Sequence, residues 1–130
     1  MEEVLQFLKE AGIFYFTTVE GNEPRVRPFG FHMYYRDRLY FGVGTQKAAY
    51  REMKDNPNVE LCAFKDGKFL RIRGKAVFDM RADVQAHQFE VSPFLKGSYN
   101  EETGNVHADF YLENMSAMLF PMGGEPTKLI

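Results

Sequence analysis

Residues 58–80 constrain the fold more than any other stretch. Asn58 to Phe64 and Lys68 to Met80 are two apolar runs joined at Lys65-Asp66-Gly67. Asp-Gly between such runs is a strong hairpin signal, because the tight turn needs positive φ at its centre. The two runs are therefore expected to be antiparallel neighbours, and the rest of the chain has to build outward from them.

Further strand signals lie on both sides. Ile13 to Val19 is β-branched and aromatic, and the turn cluster Glu20-Gly21-Asn22-Glu23-Pro24 follows it. Arg25 to Tyr35 reads as one strand, with Pro28 suggesting an edge or a bulge. Arg36-Asp37-Arg38 is the next turn and Leu39 to Val43 the next strand. Phe110 to Leu112 and Ser116 to Met122 read as the last two strands. Val4, Leu5, Leu8 and Ala11 recur at helical spacing until Gly12. Thr45 can cap a helix over Gln46 to Lys54, stopped by Asn56-Pro57. Ala82 to Phe89 is a third helix. Ser92 to Val106 is loop-rich, and a loose tail is expected after Gly123-Gly124-Glu125-Pro126.

Six or seven strands with three helices result. Strands and helices do not alternate strictly, which argues against a doubly wound parallel sheet. A mainly β, antiparallel small barrel with helices at its side fits better. The 130 residues suggest a single domain over 1–130. Thirteen Phe and seven Tyr without Trp favour strands and flat apolar pockets.

The net charge of -2 gives no global field for nucleic acid. No apolar run approaches the roughly 20 residues of a membrane span, and Met1-Glu2-Glu3-Val4 lacks the basic start of a signal peptide. The one cysteine, Cys62, cannot form an internal disulfide and reads as a small strand residue. A cytoplasmic protein is the expectation.

Residues two apart on a strand share a face. Arg25 and Arg27 can therefore converge on one anion, or stand as a solvent-facing basic pair. Gly42-Val43-Gly44-Thr45-Gln46-Lys47 opens a helix about twenty residues later. Its glycines allow close backbone approach. A lysine at a helix start conflicts with the dipole unless an anion compensates; an ordinary capped helix is the alternative. The stretch is neither a Walker A loop nor a G-x-G-x-x-G fingerprint. His32, His87 and His107 have no metal-ligand spacing, so no metal is expected. His32 can touch a ligand or be structural, His87 is a polar helix position, and His107 is a loop residue. No paired carboxylates or nucleophile elbow stand out, so any chemistry must come from a cofactor.

Several pieces occur in order: Gly21-Asn22-Glu23-Pro24-Arg25-Val26-Arg27-Pro28, Leu39-Tyr40-Phe41-Gly42, Thr45-Gln46-Lys47, Asn56-Pro57-Asn58-Val59, and Arg71-Ile72-Arg73-Gly74-Lys75-Ala76. Together they resemble the pyridoxamine-phosphate-oxidase-like flavoproteins, in their short, single-domain, oxidase-related or nitroimidazole-reductase-like (Nim) branch. The resemblance implies an FMN-binding split barrel, with the flavin at a homodimer interface and a small-molecule substrate. It implies that Arg27 and Lys47 pair with the flavin phosphate, that Thr45 donates a hydroxyl, and that Arg25 joins them. The backbone of Pro28, Phe29 and Gly42 would approach the isoalloxazine ring. Val26 and Gln46 belong to the same cofactor-binding set, and the partner's Phe69–Ile72 strand would close the other side. Phe41 stands where many relatives carry threonine. The long C-terminal part of the full oxidases has no counterpart here. A flavin-dependent oxidoreductase is the implied activity. Relatives that use the deazaflavin F420 or haem, or that only carry a cofactor, are the alternatives.

Overall fold

A computed structural model describes all residues from Met1 to Ile130. Helix α1 (Glu2–Ala11) is followed by strands β1 (Phe14–Glu20), β2 (Glu23–Phe29), β3 (His32–Tyr35) and β4 (Arg38–Gly44). Helix α2 (Ala48–Asp55) leads to β5 (Asn58–Lys65) and β6 (Lys68–Phe78). Helix α3 (Ala82–Val91) and a 3-10 turn (Pro93–Gly97) precede the long β7 (His107–Pro121) and the short β8 (Thr127–Lys128). All pairings are antiparallel, in the order β2-β1-β5-β6-β7-β4-β3, with β8 added on β7. The mainly β, antiparallel expectation therefore stands, with eight strands in place of six or seven.

The two edge strands of this sheet, β2 and β3, are consecutive in the chain. Only Gly30 and Phe31 separate them, and they do not pair with each other. A sheet whose two edges are tied by two residues has to curl, and the unpaired seam is the split of the barrel. This corrects the expectation of one strand from Arg25 to Tyr35. Pro28 lacks an N–H and sits on an edge strand that pairs only with β1. The chain then crosses at Gly30-Phe31 to the opposite edge.

The β5–β6 hairpin turns at Asp66 and Gly67, both with positive φ (49° and 72°), as the Asp-Gly pair requires. Inside the barrel, Phe14, Phe16, Phe41 and Phe110 are fully buried, with Leu61, Leu70 and Ile72 around them. Their rings meet edge-on or tilted at 5.6–6.0 Å, geometries that aromatic quadrupoles favour. Phe41 is therefore a core residue. Helix α1 closes one end of the core through Val4 and Leu8, both without exposed surface.

Three further expectations are corrected. The last two strands are one, β7, with a slip against β6 between Arg73 and Lys75. Asn114 takes positive φ (55°) at the slip and absorbs the extra residue. Opposite it, a Cβ on Gly74 would lie 2.9 Å from the Glu113 carbonyl oxygen, so only glycine fits. Helix α2 starts at Ala48 rather than Gln46, and Thr45 does not cap it. The Thr45 N–H instead donates to the Val106 oxygen at 2.8 Å, which holds residues 44–47 in a turn. The tail is ordered: β8 pairs with β7, and Leu129 and Ile130 pack on the core.

Candidate functional site

The split of the barrel opens into a recess of about 400 Å³, between β2, the Gly30-Phe31 crossing, the end of β4 and the start of α2. That volume lies within the usual range for small-ligand sites, roughly 300–1,000 Å³. Arg27, Pro28, Phe29, Gly42 and Lys47, all proposed from sequence, lie along this one cavity. The others do not line it. Val26 is exposed, on the alternate face of β2 from Arg27. Arg25 pairs with Glu20 (2.8 Å) and Glu23 (3.3 Å) outside the cavity. The expected convergence of the two arginines is thus absent, because acidic neighbours at both ends of the β1–β2 turn hold Arg25. Thr45 is half-buried and tied to Val106 through its backbone, and the Gln46 side chain borders Gly44.

Arg27 is anchored from behind. Its Nη1 donates to Thr18 Oγ1 at 2.9 Å and its Nη2 to Glu52 Oε1 at 3.0 Å. Glu52 is a carboxylate on the inner face of α2, only 6% exposed. The Thr18 hydroxyl, and after it Arg27, hold its pKa below the ordinary range. A guanidinium carries five N–H donors in a fixed fork. Thr18 and Glu52 engage two of those donors, and Arg27 itself lines the recess.

Across the cavity, Lys47 is the N-cap residue of α2 and caps it with no side-chain bond. The N–H groups of Ala48 and Ala49 have no backbone acceptor, and no acidic residue occupies the first turn. Free helix N–H groups, the positive end of the helix dipole and an exposed ammonium thus adjoin one another. Such an end favours an anion.

The apolar wall is aromatic. Phe29 stacks on Phe16 at 4.7 Å and 8°, and Phe31 and Tyr99 complete the lining. Gly42 is indispensable here: a Cβ would fall 2.2 Å from His107 Cε1. Gly44 is similar, with the Tyr99 hydroxyl 2.6 Å from the same position.

His107 is therefore no loop residue. It opens β7 and is buried against the recess. Sequence reasoning missed it and Tyr99, because Ser92 to Val106 carries no periodicity that would place them; Phe31, Ala48 and Ala49 were missed because the expected single strand over Arg25 to Tyr35 hid the crossing at Gly30-Phe31 and the expected helix began at Gln46. The available signal was Gly42, a glycine inside a buried strand, which marks close approach by another group.

Behind this wall, under α3, lies a buried polar cluster. Asp79 accepts from the Tyr40 hydroxyl (2.8 Å) and from Arg81 (2.8 Å); its pKa falls to about 2, chiefly through Arg81. Asp109 is fully buried, and neither of its oxygens has a partner. Burial, and then the charge of Asp79, push its carboxyl up to about 8, so it is protonated at neutral pH. His32 is not among the residues lining the recess; it packs edge-on to Phe14, with its buried Nδ1 unpartnered. No three His, Cys, Asp or Glu side chains come together as a metal-binding group. No helix is long and apolar enough to cross a membrane.

Comparison with known proteins agrees with this fold. The family model described as pyridoxamine 5'-phosphate oxidase matches residues 1–115. A NimC/NimA family protein from Clostridium acetobutylicum is similar at 33% identity over 98% of this chain and 90% of its own, with a TM-score of 0.89. A pyridoxamine 5'-phosphate oxidase-related, FMN-binding protein from Nostoc punctiforme (16% identity, 98% of this chain and 85% of its own, TM-score 0.68) shares the fold. So does the haem storage protein HutZ from Vibrio cholerae (16% identity, 88% and 91%, TM-score 0.65). No curated protein matches the chain.

Proposed function

The chain belongs to the pyridoxamine 5'-phosphate oxidase family, and from that premise we propose that it is an FMN-binding flavoprotein, an oxidoreductase of a small molecule. One observation carries the reading. Arg27, Lys47 and the open N–H groups of Ala48 and Ala49 border a single cavity that also offers an aromatic wall and two glycine approaches. This donor set suits a dianionic phosphate, and the wall suits a flat ring. In this reading Arg27, Lys47 and the start of α2 hold the phosphate. The backbone of Pro28, Phe29 and Gly42 runs along the ring, and Thr45 and Gln46 shape the turn that presents Lys47. When bound, FMN supplies hydride exchange; the protein binds it, orients it and screens it from water.

The protein works in this reading as a homodimer with the cofactor at the interface. The outer face of the sheet supports that arrangement, since Tyr15, Val26 and Phe64 are each more than half exposed. Beside them Phe69 and Phe120 stack at 4.8 Å. Large exposed apolar side chains grouped on one sheet face, with the Arg71–Glu60 pair among them, suit an interface.

An absorption spectrum of freshly purified protein, followed by titration with FMN, tests the proposal. Flavin bands, or tight uptake of added FMN, are expected. A Soret band, or a colourless protein indifferent to FMN, overturns it.

A further inference from the structure

Helix α3 directs two side chains at one residue. Gln85 Nε2 and Gln88 Nε2 both donate to the carbonyl oxygen of His107, at 2.9 and 3.0 Å. Because its nitrogen is donating there, Gln88 turns its Oε1 to the His107 ring, 2.6 Å from Nδ1. Gln85 is oriented in the same way, since its Oε1 accepts from the Asp109 N–H at 3.1 Å. An amide oxygen can only accept, so the ring proton sits on Nδ1 and Nε2 carries a lone pair.

That lone pair has no partner within the protein, yet it is not sealed away as His32 Nδ1 is. The ring around it is immobilised. Phe31 meets it edge-on at 5.2 Å and 87°, and Tyr99 lies 4.8 Å away. Gly42 lies against its Cε1 edge. Burial pushes the His107 pKa down to about 4, so the ring is neutral at physiological pH. Among the residues lining the recess, the charged side chains are Arg27 and Lys47, and there is no carboxylate. One fixed acceptor thus stands in a wall otherwise built of aromatic rings and glycine.

We infer that His107 is a ligand-recognition residue of the recess, its Nε2 accepting a hydrogen bond from an N–H or O–H group of a small, planar, neutral ligand. This rests on the proposed reading of the recess as a ligand site and adds the class of ligand. A phenol, amide or heterocyclic N–H completes the lone pair. A ligand that turns only an acceptor to this ring, such as an ether or an aryl halide, sets acceptor against acceptor and leaves both unpaired.

The test uses the protein as purified, with whatever cofactor it holds, and two probes of equal shape: phenol, which donates, and fluorobenzene, which does not. Nitrogen-15 NMR of the His107 ring should report the Nδ1–H tautomer. Phenol should shift the Nε2 resonance and bind about tenfold more tightly than fluorobenzene, the preference one neutral hydrogen bond gives. The His107→Phe variant should lose that preference; if it does not fold, the wild-type measurements decide. An Nε2–H tautomer, equal affinities, no binding of either probe at millimolar concentration, or a phenol preference surviving in the variant overturns the inference. An FMN titration of the same sample judges the flavin reading separately. The tautomer and the phenol preference without FMN uptake would keep this inference and remove that reading.

Discussion

Arg27 and Lys47 are both cations on one recess, but they are held differently, and their variants should behave differently. Arg27 keeps the buried Glu52 carboxylate paired, whereas Lys47 is exposed and makes no ion pair. Lys47→Ala is expected to weaken FMN binding by roughly 1.5–3 kcal/mol, the scale of a charged hydrogen bond, and to leave stability within about 0.5 kcal/mol. Arg27→Ala should weaken FMN similarly and also destabilise the fold by about 2–3 kcal/mol, because Glu52 is left buried with Thr18 alone. Adding Glu52→Gln should recover part of that loss. Urea unfolding beside FMN titration separates the two effects. Asp109 gives a second test at this scale. Its carboxyl keeps a proton up to about pH 8 in the fold, while in the unfolded chain it ionises near pH 4. Between those values the unfolded state releases a proton that the native state retains, so this residue's contribution to stability falls as pH rises through the window. Asp109→Asn should therefore stabilise the protein more at mildly alkaline than at mildly acidic pH. Equal gains at both would show that Asp109 is ionised in the native protein.

The elements differ in how much of them could be read in advance. The β5–β6 hairpin was legible because Asp66-Gly67 fixes its turn from four residues alone. The ends of α1 and α3 were nearly so, since apolar spacing and Gly12 are local signals. The start of α2 was not. Thr45 is a good capping residue in isolation, but its N–H is committed to Val106, a partner more than sixty positions away. The unity of β7 was hidden for a related reason. Glu113-Asn114 resembles a turn, and only pairing with β6 across Gly74 makes it a bulge. The tail is the clearest case: Gly123-Gly124-Glu125-Pro126 looks like an end to order, yet Leu129 and Ile130 both donate backbone bonds to Ala117. Deleting residues 125–130 should accordingly cost roughly 2 kcal/mol, from these bonds and two apolar side chains that lose their packing. Unchanged urea midpoints would mean that β8 contributes nothing.

Across the whole molecule, the cavity exists because the two edges of one sheet are joined by Gly30 and Phe31 and cannot zip together. The cationic side of the recess was partly legible in the sequence: Lys47 stands at a helix start where an ammonium is otherwise unfavourable, and Arg27 is one of two strand arginines expected to share a face, although Arg25 turned elsewhere. The half built by His107, Tyr99 and Phe31 was not, since the approach of His107 to Gly42 and of Tyr99 to Gly44, and the packing of Phe31 on His107, depend on how the sheet curls. The exposed apolar outer face carries its own prediction. Sedimentation should give a particle of twice the 15.1 kDa chain mass, and a monomer at micromolar concentration would leave that face unexplained. In the proposed function the start of α2 and the anchored guanidinium take hold of a phosphate. The most direct test compares FMN with riboflavin, which lacks that group, in the wild type and in Arg27→Ala/Lys47→Ala. The wild type should prefer FMN by about a hundredfold or more, two charged contacts' worth, and the double variant should lose the preference. Equal affinity for the two flavins in the wild type would contradict that function.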